Sequence, residues 1–400
     1  MSARRRVVVT GMGMITPVGR DLPSTWDALM GGRSGVGPIQ RFDARSYPVT
    51  FAAEVDRPSS TDPAEFKLDL ARVAVAEALA GSGPLPYDPE RIGVCVGSEA
   101  ARPPLEAIAR QLRHNTVATL AEMRRGAPDA PSRMVAELVG ARGPVSTVST
   151  ACTSSSQAVG EGALRVRRGE VDAMIVGGVD VLVDPVMVVG FALLGALSTR
   201  NDDPARASRP FDRSRDGFVL GEGAGFLVLE EAEAAIKRGA TPLVELSGFG
   251  CSCNAYRITD SPPDGRGAAL AMIDALRDAG LRPEDIGYIN AHGTSTPMND
   301  ASEARGIHTC FGSHRPAVSS TKSMMGHLVA ACGAVEAIVT ALAIREGRLP
   351  PTINLDQPDP DCDLDHVANV AREAQVQHAM TNAFGFGGSN GTLLLSRWES

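Results

Sequence analysis

Lysine, excess positive charge and long apolar runs are all scarce in this 400-residue chain. Only three of its 39 basic residues are lysines, and its net charge of −8 at pH 7 gives no indication of nucleic-acid binding. No segment approaches the roughly 20 consecutive apolar residues needed to span a bilayer. The composition therefore argues against a DNA- or RNA-binding protein and against a membrane-spanning helix.

The cysteines lack a pattern as well. There are seven of them, an odd number, and only Cys251 and Cys253 are close in sequence: they lie at positions 95, 152, 251, 253, 310, 332 and 362. Such a set predicts neither a disulfide framework nor a zinc site. With 43% hydrophobic and 22% charged residues, the chain is able to bury a substantial core. We therefore expect a large cytoplasmic enzyme.

Strand-like and helix-like segments alternate along the chain, a pattern typical of an α/β fold. Three segments are predicted to be buried strands: 91–97, 171–177 and 286–290. Asp62 followed by proline predicts the start of a helix that runs to Gly81. A second helix is predicted at 265–279, where Gly280 ends it.

Two pairs of segments recur at nearly the same separation. Thr150 and Thr321 lie 171 residues apart, and each belongs to a Val/Ser/Thr strand that precedes a helix of small residues. Hairpin-like stretches at 217–229 and 383–395 are separated by 166 residues. The chain is therefore predicted to consist of two similar α/β halves that meet near residue 240.

Cys152 lies where an apolar, strand-like run ends and a helix-like segment rich in small residues begins. Backbone N–H groups and the dipole at a helix N-terminus stabilise a thiolate, which lowers a thiol pKa from about 8.5 toward roughly 3.5–7.5. An isolated cysteine is more often a small buried hydrophobe. The position between strand and helix favours a nucleophile over that alternative.

Two motifs downstream offer partners for Cys152. His292 lies in NAHGT and His327 lies in STKSMMGH, and each histidine is next to a glycine in a polar turn. Taken singly, each is equally well explained as a turn histidine with its hydrogen bonds satisfied. Lys322 lies in the second motif. Because almost all other basic residues are arginines, a lysine at this position indicates a need for its compact ammonium group. A cysteine with two histidines indicates carbon–carbon bond chemistry through a thioester.

Four sequence blocks contain these residues: TACTS at 150–154, NAHGTSTPMN at 290–299, SSTKSMMGH at 319–327 and NAFGFGGSNG at 382–391. In this order they resemble the signature blocks of the elongating β-ketoacyl-acyl carrier protein synthases, which belong to the thiolase-like superfamily. The likeness covers nearly the whole chain. It includes GMGMITP at 11–17, ALSTRN at 196–201 and the segment 208–225.

This resemblance implies an α/β fold with the thiolase-like duplicated five-layer αβαβα architecture. The N-terminal half, 1–240, would carry the nucleophilic cysteine. The C-terminal half, 241–400, would carry the His/Lys/His motifs and the Gly-rich gate loop.

The resemblance also implies an acyltransferase of the 3-oxoacyl-acyl carrier protein synthase class. Cys152 would take an acyl group from the phosphopantetheine arm of acyl carrier protein and condense it with malonyl carrier protein by decarboxylative Claisen chemistry. His292 and His327 would donate hydrogen bonds to the malonyl thioester oxygen, and Lys322 would orient His327. No metal and no bound organic cofactor is implied, because the carrier protein holds both substrates.

Further roles follow from the same resemblance. The backbone N–H groups of Cys152 and Phe386 would form the oxyanion hole, and the Phe386 ring would gate the acyl pocket. Without the surrounding motif, Phe386 is better explained as a packed aromatic between flexible turns. Phe384 is expected to support the site.

Thr294 and Thr296 would bind the pantetheine amides, although hydroxyl groups that only stabilise a turn would give the same pattern. Glu336 is expected near Lys322, with a solvated helix charge as the alternative. Other acidic residues of this part of the chain are expected to be structural: Asp300 and Glu303.

Three positions depart from the family pattern. Met325 replaces a common threonine, Ser155 replaces a glycine, and Gly195 replaces an arginine that often helps the carrier protein to dock. The Arg/Ala-rich segment 99–142 matches the family poorly, so the acyl chain length is not predicted. The sequence does not decide between fatty acid synthesis and type II polyketide or polyene synthesis either. The divergent segment favours a specialised pathway.

A homodimer is the family default, and a heterodimer with a chain-length factor is the alternative. Loose candidates for a basic patch that binds an acidic carrier are Arg113, Arg124, Arg125, Arg133 and Lys67.

Two other functions are alternatives to a condensing enzyme. Retention of Cys152 and its partners argues against a non-catalytic, chain-length-factor-like subunit. A degradative thiolase acting on coenzyme A thioesters needs a second cysteine in the Gly-rich closing loop, and three cysteines lie outside that loop: Cys310, Cys332 and Cys362.

Overall fold

The computed structural model describes residues 5–56, 62–101 and 105–399. These ranges contain fifteen strands: β1 (Val7–Ile15), β2 (Gly37–Pro38), β3 (Phe51–Ala52), β4 (Ile92–Gly97), β5 (Val145–Val148), β6 (Ala173–Asp180), β7 (Gly223–Glu231), β8 (Val244–Cys253), β9 (Ile286–Asn290), β10 (Ala317–Ser319), β11 (Arg348–Leu349), β12 (Asp365–His366), β13 (Arg372–Glu373), β14 (His378–Phe384) and β15 (Ser389–Arg397).

The same ranges contain twelve α-helices: α1 (Leu22–Met30), α2 (Pro63–Ser82), α3 (Leu105–His114), α4 (Leu120–Gly126), α5 (Ala130–Val139), α6 (Ser154–Arg167), α7 (Pro185–Leu193), α8 (Ala232–Lys237), α9 (Arg266–Ala279), α10 (Pro297–Phe311), α11 (Lys322–Met325) and α12 (Cys332–Glu346). None of these helices is long and apolar enough to cross a bilayer.

Eleven strands form one mixed sheet, in the order β12-β10-β9-β14-β15-β8-β1-β7-β6-β4-β5. Outward from the β8–β1 junction, each arm begins with two antiparallel pairings followed by two parallel pairings, and the second arm adds a third parallel pairing, between β10 and β12. β1 and β8 themselves pair only through Val8–Glu245 and Val9–Val244. The repeated strand order agrees with a duplicated unit, while the boundary at residue 240 stays a prediction.

The helices lie in three layers, which the two arms of the sheet separate. α2 and α5 pack against each other on the outer face of the first arm, and α9 and α10 do so on the second. Between the arms, α6 packs on β4 and β6, and α12 packs on β7 and β14. The predicted αβαβα architecture is confirmed.

Most predicted elements are present with small changes at their ends. The predicted strands correspond to β4, β6 and β9, although β6 begins two residues later than its sequence pattern. Asp62 caps α2 by accepting a hydrogen bond from the backbone N–H of Ala64, at 2.9 Å. Gly280 ends α9 in the left-handed conformation that glycine favours.

The prediction of two matching hairpins is half wrong. Residues 383–395 do form a hairpin, between β14 and β15. Residues 217–229 do not form a hairpin, because β7 is the only strand in this stretch. The residues before β7 form isolated β-bridges with other segments of the chain. Phe218 pairs with Leu197, and Leu220 pairs with His327. This stretch therefore lines the interior beside the histidine motif and does not fold back on β7.

A glycine in α12 lets the two central helices approach closely. A Cβ atom on Gly333 would lie 2.0 Å from Oγ of Ser156 and 2.7 Å from its backbone nitrogen. Only glycine fits there without movement of α6. The contact brings together the first turns of α6 and α12, and thus the segments that carry Cys152 and His327.

Replacing Gly333 by alanine is therefore expected to lower the free energy of unfolding by about 1–3 kcal/mol, because the added methyl group overpacks the helix contact. Gly190 in α7 is the matched control, since nothing lies within 4 Å of its Cβ position. Gly190→Ala should keep or raise stability, because alanine favours a helix by roughly 1 kcal/mol over glycine. Urea unfolding of both variants checks this, and equal stabilities would contradict the packing account.

Candidate active site

Cys152 lies in a tight turn between β5 and α6. The turn, Ala151–Thr153, has 3₁₀ geometry, and Ala151 adopts a left-handed backbone with φ of +52°. That conformation is costly for a residue with a Cβ atom, so the surrounding contacts must hold it. Cys152 is 8% exposed, and it lines an internal cavity of about 250 Å³.

The imidazole of His327 faces the sulfur of Cys152, with Nε2 3.1 Å from Sγ. On the other side of the ring, the backbone N–H of Val329 donates to Nδ1 at 3.3 Å. A neutral imidazole that accepts at Nδ1 carries its proton on Nε2. Burial, helped by the nearby Lys322 ammonium, holds the pKa of His327 well below its usual value. The ring is therefore a neutral donor aimed at the sulfur.

His292 lies beside this pair. Its ring centre is 5.3 Å from that of His327 and 5.6 Å from that of Phe384. Burial is the main cause that lowers the pKa of His292 well below its usual value, and the positive charge of Lys322 adds to it. Two neutral imidazoles therefore face the same sulfur.

Two buried carboxylates hold the loop that follows His292. Glu303 accepts the backbone N–H groups of His292, at 2.9 Å, and Gly293, at 2.8 Å. Asp300 accepts that of Thr294 at 2.9 Å. Burial raises the pKa of Glu303 to about 7. Since both carboxylates bind the backbone of the loop, their contacts are those of supporting residues.

Lys322 forms an ion pair with Glu336, and each side chain is 1% exposed. Burial acts to lower the pKa of Lys322, but the attraction of Glu336 outweighs it and raises that pKa. The side chain is therefore an ammonium. Glu336 lies inside the protein beside Lys322, which rules out the alternative of a solvated helix charge.

The structure overturns the expected lowering of the Cys152 pKa. Burial raises that pKa to about 12, although Lys322 and the backbone N–H groups of Phe386 and Cys152 act to lower it. Exclusion of water from the sulfur outweighs the field at the start of α6. Cys152 is thus a neutral thiol in the resting protein.

The sulfur of Cys152 and one ring nitrogen of each histidine lie within 4.8 Å of one another, a separation at which they could share a metal ion. The buried ammonium of Lys322 opposes positive charge there, as its lowering of both histidine pKa values shows. The donor set therefore suits a nucleophile with two hydrogen-bond donors better than a dication. That the site needs no metal stays a prediction.

The gate loop lies directly on the Cys152 turn. A Cβ atom on Gly385 would be 3.0 Å from the carbonyl oxygen of Thr150 and 3.3 Å from the nitrogen of Cys152, so a glycine permits this approach. Phe386 begins the 3₁₀ turn that joins β14 to β15, and its side chain lines the cavity. Gly387, with φ of +82°, supplies the left-handed residue of the loop.

Thr294 and Thr296 also line the cavity, and their hydroxyl oxygens are 2.8 Å apart. Thr296 additionally caps α10 by accepting the backbone N–H of Asn299 at 3.4 Å. The Thr294 hydroxyl also accepts a backbone N–H, that of Thr296, at 3.4 Å, so both threonines stabilise the turn in addition to lining the cavity.

Several residues at the site were not predicted. The rings of Phe191 and Phe218 line the cavity, and Phe218 lies 5.3 Å from the His327 ring. Cys332, at the start of α12, donates its S–H to the carbonyl oxygen of Cys152 at 3.2 Å. Burial raises the pKa of Cys332 well above its usual value. No sequence signal distinguished it from the other cysteines.

Lys67 was wrongly placed among the candidates for a basic docking patch. It is 3% exposed, and its Nζ lies 3.2 Å from Oδ1 of Asp180. The four arginines of that set are exposed: Arg113, Arg124, Arg125 and Arg133. Residues 102–104 of the divergent segment lie outside the described residues.

The three departures from the family pattern have different surroundings. Ser155 is buried, and its hydroxyl accepts the backbone N–H of Ala334 at 3.0 Å, which ties α6 to α12. Met325 is buried in the main core. Gly195 is exposed, follows α7 and lines the cavity.

Two protein-family models match this chain. The model of the β-ketoacyl synthase N-terminal domain matches residues 4–235, and the model of the β-ketoacyl synthase C-terminal domain matches residues 243–356. The chain belongs to the β-ketoacyl synthase family. Members named 3-oxoacyl-[acyl-carrier-protein] synthase 2 are similar over the full length. Those of Coxiella burnetii and Synechocystis sp. are each 44% identical; they align with 98% and 99% of this chain and with 99% of their own lengths.

Solved ketosynthase structures have the same fold. The ishigamide ketosynthase/chain length factor and a β-ketoacyl synthase from Burkholderia phymatum each superpose with a TM-score of 0.90 at 35% identity, over 99% of this chain and 100% of theirs. A type II polyketide ketosynthase solved in complex with its acyl-carrier protein gives 0.89 at 31% identity, with the same coverage. This β-ketoacyl synthase is thus an acyltransferase of the condensing type.

The raised pKa of Cys152 predicts how the thiol reacts in the resting enzyme. Alkylation of Cys152 by iodoacetamide should become about tenfold faster per pH unit between about pH 6 and 9, since the thiolate fraction rises tenfold per unit below the pKa. Mass spectrometry of the Cys152 peptide separates this reaction from labelling of the exposed Cys251 and Cys253. A rate that is constant over this range would show a thiolate and contradict the account.

Proposed function

We propose that this β-ketoacyl synthase elongates acyl chains held on acyl carrier protein, with Cys152 as the nucleophile and His292 and His327 as donors to the malonyl thioester. The observation that carries the proposal is the pair of buried, neutral imidazoles that face the Cys152 sulfur. The preserved cysteine argues against a non-catalytic, chain-length-factor-like role.

In the first step, the sulfur of Cys152 attacks the thioester carbonyl of an acyl carrier protein. A Cys152 thioester forms, the carrier thioester bond breaks, and the proton of the Cys152 thiol passes to the departing carrier sulfur. The backbone N–H groups of Cys152 and Phe386 point at the sulfur, and in this proposal they stabilise the tetrahedral oxyanion. The Phe386 ring then gates the acyl cavity.

In the second step, malonyl carrier protein loses CO2, and negative charge develops on its thioester oxygen. N–H groups of His292 and His327 stabilise this enolate because both rings are buried and already lie beside the Cys152 sulfur. The enolate carbon attacks the acyl-Cys152 carbonyl, the Cys152–acyl bond breaks, and the sulfur leaves as a thiolate that takes up a proton from solvent water. Lys322 assists by keeping both rings neutral, since a protonated imidazole there would be repelled.

The substrates reach the site on a carrier arm. Thr294 and Thr296 line the cavity, and in this proposal their hydroxyl groups bind the pantetheine amides. Curated relatives at 39–44% identity are named 3-oxoacyl-[acyl-carrier-protein] synthase 2, which supports assaying acyl-chain elongation on acyl carrier protein first. A cytoplasmic location and the absence of a bound cofactor stay predictions.

Cys152→Ala should abolish acyl loading without unfolding the protein, because the nucleophile is lost and the packing change is small. His292→Ala and His327→Ala should still load but slow malonyl decarboxylation and condensation by about 10²–10³-fold. His308→Ala is a control outside the cavity. Gel-resolved loading and release of CO2 measure the two steps. Normal product formation by either cavity variant would contradict its role.

We further propose that the protein is a homodimer that pairs through the edge of the sheet at β5. In the described ranges β5 hydrogen-bonds only to β4, so its other edge has free backbone groups. Beside this edge, Val145 is 43% exposed and Leu138 of α5 is 52% exposed. Other exposed apolar side chains lie in the same segment: Leu112, Val117, Leu120 and Met123. A second copy of the chain covers both features.

Val145→Lys should therefore convert dimer to monomer in sedimentation velocity, because it places a charge at the paired edge. Ile236→Lys is the control, since Ile236 is also an exposed aliphatic residue, at 52%, but lies on α8. A monomeric wild-type protein that dimerises only with a different, cysteine-less chain would contradict the homodimer and support a heterodimer.

A further inference from the structure

Glu99, two residues beyond β4, holds the turn that carries Cys152. Its Oε1 accepts the backbone N–H of Ala151 at 3.0 Å and the hydroxyl of Ser154 at 3.3 Å. Its Oε2 accepts the hydroxyl of Ser149 at 2.8 Å. One carboxylate thus contacts the chain before and after the nucleophile.

The central contact falls on the strained residue of the turn. Ala151 is left-handed, and a residue with a Cβ atom leaves that conformation unless its neighbours hold it. The hydrogen bond from its N–H to Glu99 opposes such a change, which would move the adjacent Cys152. The Cys152–His327 contact of 3.1 Å depends on this geometry.

A buried lysine fixes Glu99 in turn. Nζ of Lys67 donates to the backbone carbonyl oxygen of Glu99 at 2.7 Å and pairs with Oδ1 of Asp180. The other oxygen of Asp180 accepts the backbone N–H of Ala330 at 3.2 Å. Ala330 adjoins Val329, the residue that donates to the His327 ring. Hydrogen bonds through Glu99 and Asp180 therefore connect the buried Lys67 to both the turn of Cys152 and the turn that follows His327.

We propose that Glu99 is a positioning residue that holds the turn of Cys152, and with it the sulfur and the backbone N–H of Cys152, in the geometry that acyl transfer needs. This inference rests on the proposed function. Glu99 acts through the turn, since its carboxylate contacts the backbone and hydroxyl groups of 149–154. A neutral glutamine of the same shape keeps these contacts: its carbonyl accepts from Ala151, and its amide donates to Ser149.

The test compares Glu99→Ala and Glu99→Gln with wild type in single-turnover acyl loading, in malonyl decarboxylation and in thermal unfolding. Glu99→Ala should load about tenfold more slowly or worse, because small misplacement of a reacting atom is costly. Its decarboxylation rate and melting temperature should stay near wild type. Glu99→Gln should restore most of the loading rate. Glu137→Ala, an exposed glutamate of the same divergent segment, is the matched control.

Three results would overturn the inference. Loading by Glu99→Ala at the wild-type rate would show that the turn holds without the carboxylate. An equal loss of loading and decarboxylation with a lowered melting temperature would show a role in stability only. Failure of Glu99→Gln to recover loading would show that the charge, not the geometry, matters. If wild type itself does not load, the proposed function fails, and this inference fails with it.

Discussion

The buried ion pair of Lys322 and Glu336 is the interaction on which the chemistry of the site depends. Placing two charges inside a protein is costly, and removing one partner of such a pair typically costs about 3–5 kcal/mol. In return, the ammonium opposes protonation of both histidines and lessens the rise in the Cys152 pKa. Burial is the main cause that keeps the two imidazoles neutral; the Lys322 charge adds to it and also makes the thiol easier to ionise.

The duplicated fold explains why these groups meet. Each arm of the sheet leads into a central helix, α6 after β5 and α12 after β10 and α11. Gly333 lets the two helices touch, so the turn before α6 and the turn before α12 face the same cavity. Left-handed residues in both turns, Ala151 and Val329, direct the sulfur and the imidazole toward each other.

Local sequence signals predicted most of the fold. Alternating apolar runs, the Asp62 cap and Gly280 each act over a few residues, and the structure contains the elements that they predicted. The prediction of a hairpin at 217–229 was wrong because the partners of these residues are not local. Those residues pair with Leu197 and His327, which are distant in sequence, and no local pattern reports such partners.

The candidate site was predictable as a set of motifs but not as an electrostatic environment. The blocks around Cys152, His292 and His327 identified residues that the structure brings within 4.8 Å. The thiol pKa was predicted in the wrong direction, because a helix N-terminus can be read from sequence while exclusion of water cannot. Glu99 was missed too, since its partners lie about 50 residues along the chain.

The central claim is that Cys152 carries the growing acyl chain between two carrier proteins. Intact-protein mass spectrometry of the wild-type enzyme, mixed with a series of acyl carrier proteins and then chased with malonyl carrier protein, tests it most directly. The account predicts an acyl adduct on Cys152 that disappears as a β-ketoacyl product two carbons longer forms on the carrier. No adduct from any donor, or an adduct that persists through the chase, would contradict it.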